Sequence, residues 1–210
     1  TDGDEAALGE RGKQGLRSPG LEMQVVGDDG ESVAWDGEAF GELLVRGPTV
    51  VGEYYNRPEA NETDFVEADD GGSRWLRTGD IATVDEDGYI EVVDRAKDVI
   101  KSGGEWISSI ELENALMAHS DIAEAVVIAA PHERWQERPL AFVVPKAGCE
   151  IDVESVRTFL QEEFPRWWLP DDVQIREEIP KTATGKFDKK TLRETIGEPE
   201  LPYAPGDGGG

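Results

Sequence analysis

At 210 residues, with six Trp, six Phe and four Tyr, the chain is long enough for one or two domains and too aromatic to be generally disordered. Its 46 Asp and Glu against 21 Lys and Arg leave a formal net charge of −25, which opposes nucleic acid or an anionic membrane as the main partner. A single cysteine, Cys149, excludes an internal disulfide and a cysteine-based zinc site.

The acid is spread along the chain. Residues 1–94 hold 24 acids and 7 bases, and residues 95–210 hold 22 and 14. Such a surface suits a salt-rich cytoplasm, where screening weakens self-repulsion, so a halophilic source and a cytoplasmic location are expected. The alternative is an acidic protein of ordinary salinity. No apolar run reaches transmembrane length and no signal peptide is visible. The start at Thr1, in a polar stretch, reads as a cut through a longer protein.

Residues 1–20 are Gly-rich and lack a clear period. From 21 to 93, the short alternating runs LEMQVV, GELLVRG, DIATVD and GYIEVVD are set among the turn signals DDG, EDG and DGG. This spacing predicts a small antiparallel β unit. Pro58 followed by helix formers predicts a short helix in RPEANETDF. After Asp94 the character changes. DVIKSGGEWIS predicts a hairpin around Ser102–Gly104. Ser108 and Glu111 have capping-box spacing ahead of a helix, with Ile110, Leu112, Ala115, Leu116 and His119 as its apolar stripe. IAEAVVIAA and PLAFVVPK are continuous apolar runs and predict buried strands. VESVRTFLQEEF predicts an amphipathic helix with Val153, Val156, Phe159 and Leu160 inward. DDVQIREEI predicts a strand, and DKKTLRETI a closing helix capped by Asp188. The boundaries so drawn are a β-rich unit over 1–94, a compact α+β domain over 95–196 and a Pro- and Gly-rich tail over 197–210 expected to be disordered.

Three clusters carry candidate chemistry. WLRTGD, residues 75–80, precedes a strand, and a carboxylate there could accept two ribose hydroxyls or be an ordinary turn Asp. DRAKDVIKSGGEW, residues 94–106, places Arg95, Lys97 and Lys101 before a Gly pair. The pair lets another molecule approach the backbone, or is simply a hairpin with solvated charges. IPKTATGKFDKKTLR, residues 179–193, contains a Gly-Lys that is not a P-loop, because Pro180 and Phe187 stand where that motif needs Gly and Ser or Thr. Its lysine could place a point charge on a phosphate, or the segment could be a solvated loop and helix start. His119 and His132 read as structural, and no metal constellation is present in the sequence.

Taken together, RTGD, DRAKDVIKSGGEWIS with ELE following, and PKTATGKFDKKTLR resemble the C-terminal part of the adenylate-forming (AMP-binding) superfamily. GGEWISSIELENAL, HERWQERPLAFVV and WWLPDDV most resemble medium- and long-chain fatty-acid–CoA ligases. The resemblance runs from about residue 10 to 196, nearly the whole chain. It implies an α+β fold: a small, barrel-like β-rich subdomain ending a large adenylation domain, then a mobile C-terminal domain. It implies ATP, CoA and Mg2+ as cofactors and a fatty acid as substrate. It also implies nucleotide binding by Asp80 and Arg95, both at the ribose, and a hinge at Lys97. Lys186 would be the catalytic lysine of adenylation. Lys101, Ser102, Gly103, Gly104 and Trp106 would form the CoA face. The phosphate loop, the Mg2+-binding Glu and the acyl pocket that the family possesses are not in these 210 residues. The chain alone is therefore expected to be inactive and to need an N-terminal adenylation domain, in cis or in trans. The resemblance also allows a homodimer. The competing readings are a stand-alone acidic binding or regulatory module and an adenylation enzyme serving a carrier protein.

Overall fold

The computed structural model describes residues 13–196. They form two compact units that divide in the chain between Lys97 and Asp98. The segment read as a disordered tail, 197–210, lies outside the described residues.

The first unit is a curled antiparallel sheet of β1 (Gly15–Leu16), β2 (Glu22–Val26), β3 (Gly41–Arg46), β4 (Phe65–Val66), β5 (Trp75–Val84) and β6 (Tyr89–Arg95). The strand order is β1-β6-β5-β3-β2, and β4 pairs β5. Alternation along the strands sends side chains to two faces. Met23, Val25, Leu43, Ala82 and Val84 pack on one; Val26, Leu44 and Trp75 pack together separately. The short helix α1 (Pro58–Thr63) begins at the proline, whose fixed φ suits a first turn. Arg46 is buried with its guanidinium 4.3 Å over the Trp75 ring. Glu22 and Asp70 hold it through ion pairs of 2.7 and 2.6 Å. Hydrogen bonding from Arg46, then from the Gly72 N–H, lowers the Asp70 carboxyl from 3.8 to about 2.

The second unit holds β7 (Ile100–Ser102), β8 (Glu105–Ile107), α2 (Ser109–Ala118), β9 (Ile122–His132), β10 (Gln136–Pro145), α3 (Val153–Gln161), a 3-10 turn at Arg166–Trp168, β11 (Asp172–Ile175) and α4 (Lys189–Ile196). β10 is the hub. It pairs antiparallel with β9 and β7 and parallel with β11. One face of the β9–β10 pair, with Ala125, Val127, Ala141 and Val143, is covered by Leu112 and Leu116 of α2 and Val156 and Leu160 of α3. The other face, with Val126, Ile128, Leu140 and Phe142, is covered by Ile179, Phe187 and Leu192. Burial on both faces is why these two strands read as unbroken apolar runs.

The Ser108 hydroxyl caps α2 by accepting the Glu111 N–H at 3.2 Å. Asp152 and Ser155 form a reciprocal capping box on α3. Two residues of the expected stripes point outward. Ile110 and Val153 are 38% and 37% exposed. Ser109, not Ile110, starts the buried stripe of α2 and continues through Leu112 and Leu116. Ile110 lies about 100° round the helix from it. Val153 is the first residue of α3, where the apolar stripe has not yet met the core. Both histidines serve as loop acceptors. His119 Nδ1 takes the Asp121 N–H, and His132 Nδ1 takes the N–H groups of Arg134 and Trp135.

Candidate functional site

In the first unit, the structure brings Asp80 and Arg95 together. They are direct cross-strand partners on β5 and β6, and Arg95 Nη1 lies 2.8 Å from Asp80 Oδ1. The backbone ahead of Asp80 is tightly defined. Gly79 has φ +72, and its carbonyl accepts the Ala96 N–H at 3.0 Å. Thr78 Oγ1 donates to the Leu43 carbonyl and accepts the Asp80 N–H. Both members of the pair keep contact with solvent, at 26% exposure for the Asp80 side chain and 57% for Arg95. The arrangement offers a carboxylate oriented by a guanidinium, a combination able to engage a diol. Lys97 is exposed in the turn after β6, at the last position of this unit.

In the second unit, the Gly103–Gly104 turn joins β7 to β8. Both glycines have positive φ, +63 and +93, as the tightest two-residue hairpin turn requires. Gly103 donates its N–H to the Trp135 carbonyl at 2.9 Å. A Cβ on Gly103 would lie 2.7 Å from Trp135 Cε3. At Gly104 nothing stands within 4 Å of where a Cβ would be, so its backbone is open to a ligand. Lys101 and Trp106 pair across the hairpin, with the ammonium 4.9 Å from the indole centroid. They alternate with the core residues Ile100 and Ile107 and so point away from the α2–α3 core. The Lys101 N–H is held at 2.8 Å by Glu137. Ser102 is buried, and its hydroxyl accepts from Arg138 at 3.0 Å. Its side chain thus braces the turn from within.

Lys186 stands in an exposed loop over 181–186. The loop is closed by a bridge between Lys181 and Phe187, with Thr182 N–H donating to the Lys186 carbonyl at 2.7 Å. Gly185 turns it at φ +84, and Phe187 anchors it on the β9–β10 core. The five cations of this segment differ sharply. Lys181 pairs with Glu124, Lys189 with Glu113, Lys190 with Glu194 and Arg193 with Asp98. Lys186 has no carboxylate partner among the described residues. The helix after the loop is capped by Asp188, which accepts the Thr191 N–H and hydroxyl. These bonds, the backbone one first, hold its carboxyl below the usual range.

One group escaped the sequence reading. Arg138 and Asp171 form a buried ion pair at 2.9 Å, with side-chain exposures of 7% and 1%. An Arg in an apolar run and an Asp after Pro170 were the available signals, but nothing in their spacing says that they meet.

Residues 111–186 match the AMP-binding enzyme C-terminal domain. The chain is 47% identical over 191 residues to a long-chain-fatty-acid–CoA ligase of Thermus thermophilus, covering 91% of this chain and 34% of that protein. It is 41% identical over 188 residues to a medium-chain-fatty-acid–CoA ligase of Ectopseudomonas oleovorans, covering 90% and 33%. Among solved structures, the o-succinylbenzoate CoA synthetase of Bacillus subtilis in complex with its acyl-adenylate intermediate superposes with a TM-score of 0.74 at 29% identity. That match covers 90% of this chain and 37% of the synthetase. The chain thus spans about a third of the length of the curated relatives it matches. With the family's C-terminal domain model matched over 111–186 and both units represented in the relatives' alignments, this chain belongs to the adenylate-forming, AMP-binding enzymes, as a C-terminal portion of one.

Proposed function

We propose that the chain serves an ATP-dependent acid–thiol ligase that activates a fatty acid and passes it to CoA. The observation that carries this reading is Lys186: a lysine left without a carboxylate partner among the described residues, at the rim of a tight loop, in a protein of net charge −25. An ammonium kept available against so many acids suits a strongly anionic substrate.

In the proposed first step, a carboxylate oxygen of the fatty acid attacks the α-phosphorus of ATP. The bond to the bridging oxygen breaks, pyrophosphate leaves with that electron pair, and an acyl adenylate forms. Lys186 would stabilise the negative charge developing on the α-phosphoryl and carboxylate oxygens. Asp80 would accept the ribose hydroxyls, with Arg95 orienting it and reaching the same sugar. In the second step, the CoA thiol, losing its proton, attacks the acyl carbon and AMP leaves. The Gly103–Gly104 backbone, with Lys101 and Trp106 beside it, would receive the pantetheine and nucleotide parts of CoA. Ser102 would contribute through its backbone. Lys97, at the end of the first unit, is the proposed pivot between the two steps. Mg2+ accompanying ATP is proposed to be held by residues outside this chain.

Two of the relatives are named for different acyl chain lengths, long and medium. The experiment joins this chain to the upstream region that its relatives carry and measures fatty-acid-dependent AMP formation. Lys186→Ala should abolish adenylation while leaving the fold intact. Unchanged adenylation in that variant refutes the role of Lys186. A natural start codon just before Thr1, together with a stable and inactive product, would instead favour a stand-alone binding module.

A further inference from the structure

Arg138 is saturated. Nε and Nη2 face Asp171, with contacts of 2.9 to 3.1 Å. Nη2 also donates to the Leu169 carbonyl at 3.1 Å. Nη1 donates to both the Ser102 hydroxyl at 3.0 Å and the Trp167 carbonyl at 2.6 Å. All three guanidinium nitrogens are therefore engaged, below the surface, with three separate segments: the end of β7, the 3-10 turn and the entry to β11. A buried charge pair costs desolvation that its mutual attraction seldom exceeds, so stability alone is a weak reason for it. Its rigid planar fork does something an apolar pair cannot. One nitrogen fixes the residue preceding the Gly103–Gly104 turn relative to the backbone under Trp167, whose indole is 42% exposed.

We propose that Arg138, oriented by Asp171, is a positioning residue that registers the Gly103–Gly104 turn against the Arg166–Trp168 turn, and so sets the geometry in which a thiol substrate is received. Arg138 itself touches no substrate. The inference rests on the functional reading above for the thiol, and on the hydrogen bonds alone for the clamp. Misplacing a reacting group by about 1 Å can cost on the order of a hundredfold in rate, so a loosened turn should be visible in the thiol step.

The test uses two variants. Arg138→Lys keeps a charge for Asp171 but loses the fork. Arg138→Met with Asp171→Leu removes the pair together and leaves no buried charge unpaired, so it keeps the comparison available if the first variant fails to fold. In this chain, amide exchange at Gly103 and at Trp168 should quicken while α2 and α3 stay protected. In the catalytically complete polypeptide, ATP–pyrophosphate exchange should stay within about twofold while KM for CoA rises about tenfold. A parallel fall of both half-reactions, an unchanged CoA step, or unaltered exchange at Gly103 overturns the proposal. So does failure of both variants to fold, which would leave Arg138 a purely structural role. If the unsubstituted polypeptide forms no CoA product, the functional reading fails and the thiol role with it. The amide exchange then still judges the clamp on its own.

Discussion

Each cation in the 181–193 segment can be judged by what answers its charge. Four have a carboxylate partner and Lys186 has none among the described residues, although sequence composition treats all five alike. The same contrast separates the two glycines of the hairpin. Gly104 faces open space, whereas Gly103 lies against Trp135. Gly103→Ala should therefore cost about 1–3 kcal/mol through strain at positive φ and overpacking of the indole, read as a lowered urea midpoint. Gly104→Ala should meet only the backbone strain and cost less. Asp70 supplies a pH prediction for the first unit. Its folded value, about 2, lies below its ordinary 3.8, so its contribution is present above pH 3.8 and is lost as pH falls toward 2. Asp70→Asn should flatten the acid limb of the stability curve between about pH 4 and 2, as followed by Trp75 fluorescence. An unchanged acid limb would mean that the Arg46 contact does not persist in solution.

At the scale of elements, the strands and helices were largely legible, for reasons specific to each. β9 and β10 announced themselves because burial on two faces leaves no polar alternation to read. α2 announced itself through Ser108, whose hydroxyl is the N-cap that its position suggested. Ser108→Ala should cost about 1 kcal/mol of second-unit stability from the lost cap. Leu160→Ala should cost about 2–5 kcal/mol, since Leu160 is wholly buried where α3 meets the sheet. Denaturant titration of the two variants gives both values, and equal costs would contradict the core assignment. Inward residues were less legible near helix starts. The stripe of α2 is set by small, polar Ser109, which receives a hydrogen bond from Lys189. A rule that counts apolar side chains passes over it and selects Ile110.

For the whole molecule, charge and division into units govern the expected behaviour. With 46 acids against 21 bases, self-repulsion opposes the compact state, and salt shortens its range from about 10 Å at 0.1 M to about 3 Å at 1 M. We expect KCl to raise the thermal midpoint, and insensitivity to salt would count against a halophilic origin. The second unit has its own two core clusters, so a polypeptide of residues 98–196 should fold alone and unfold cooperatively. Loss of dispersed NMR signals in that piece would show that the cores need the first unit. From its own residues the sequence determined the acidic surface, the helices and most of the longer strands, the hairpin glycines and the motifs that mark the family. These are local properties, carried by composition, periodicity and spacing. The sequence reading passed over the two-residue strands β1 and β4 and the 3-10 turn, and it set WLRTGD ahead of a strand where the structure has it inside β5. Which cation stays without a carboxylate partner, how Asp80 meets Arg95, and how Arg138 and Asp171 join under the hairpin were decided only by the tertiary structure. Each depends on groups distant in the chain arriving within hydrogen-bonding reach, and no local pattern encodes that meeting.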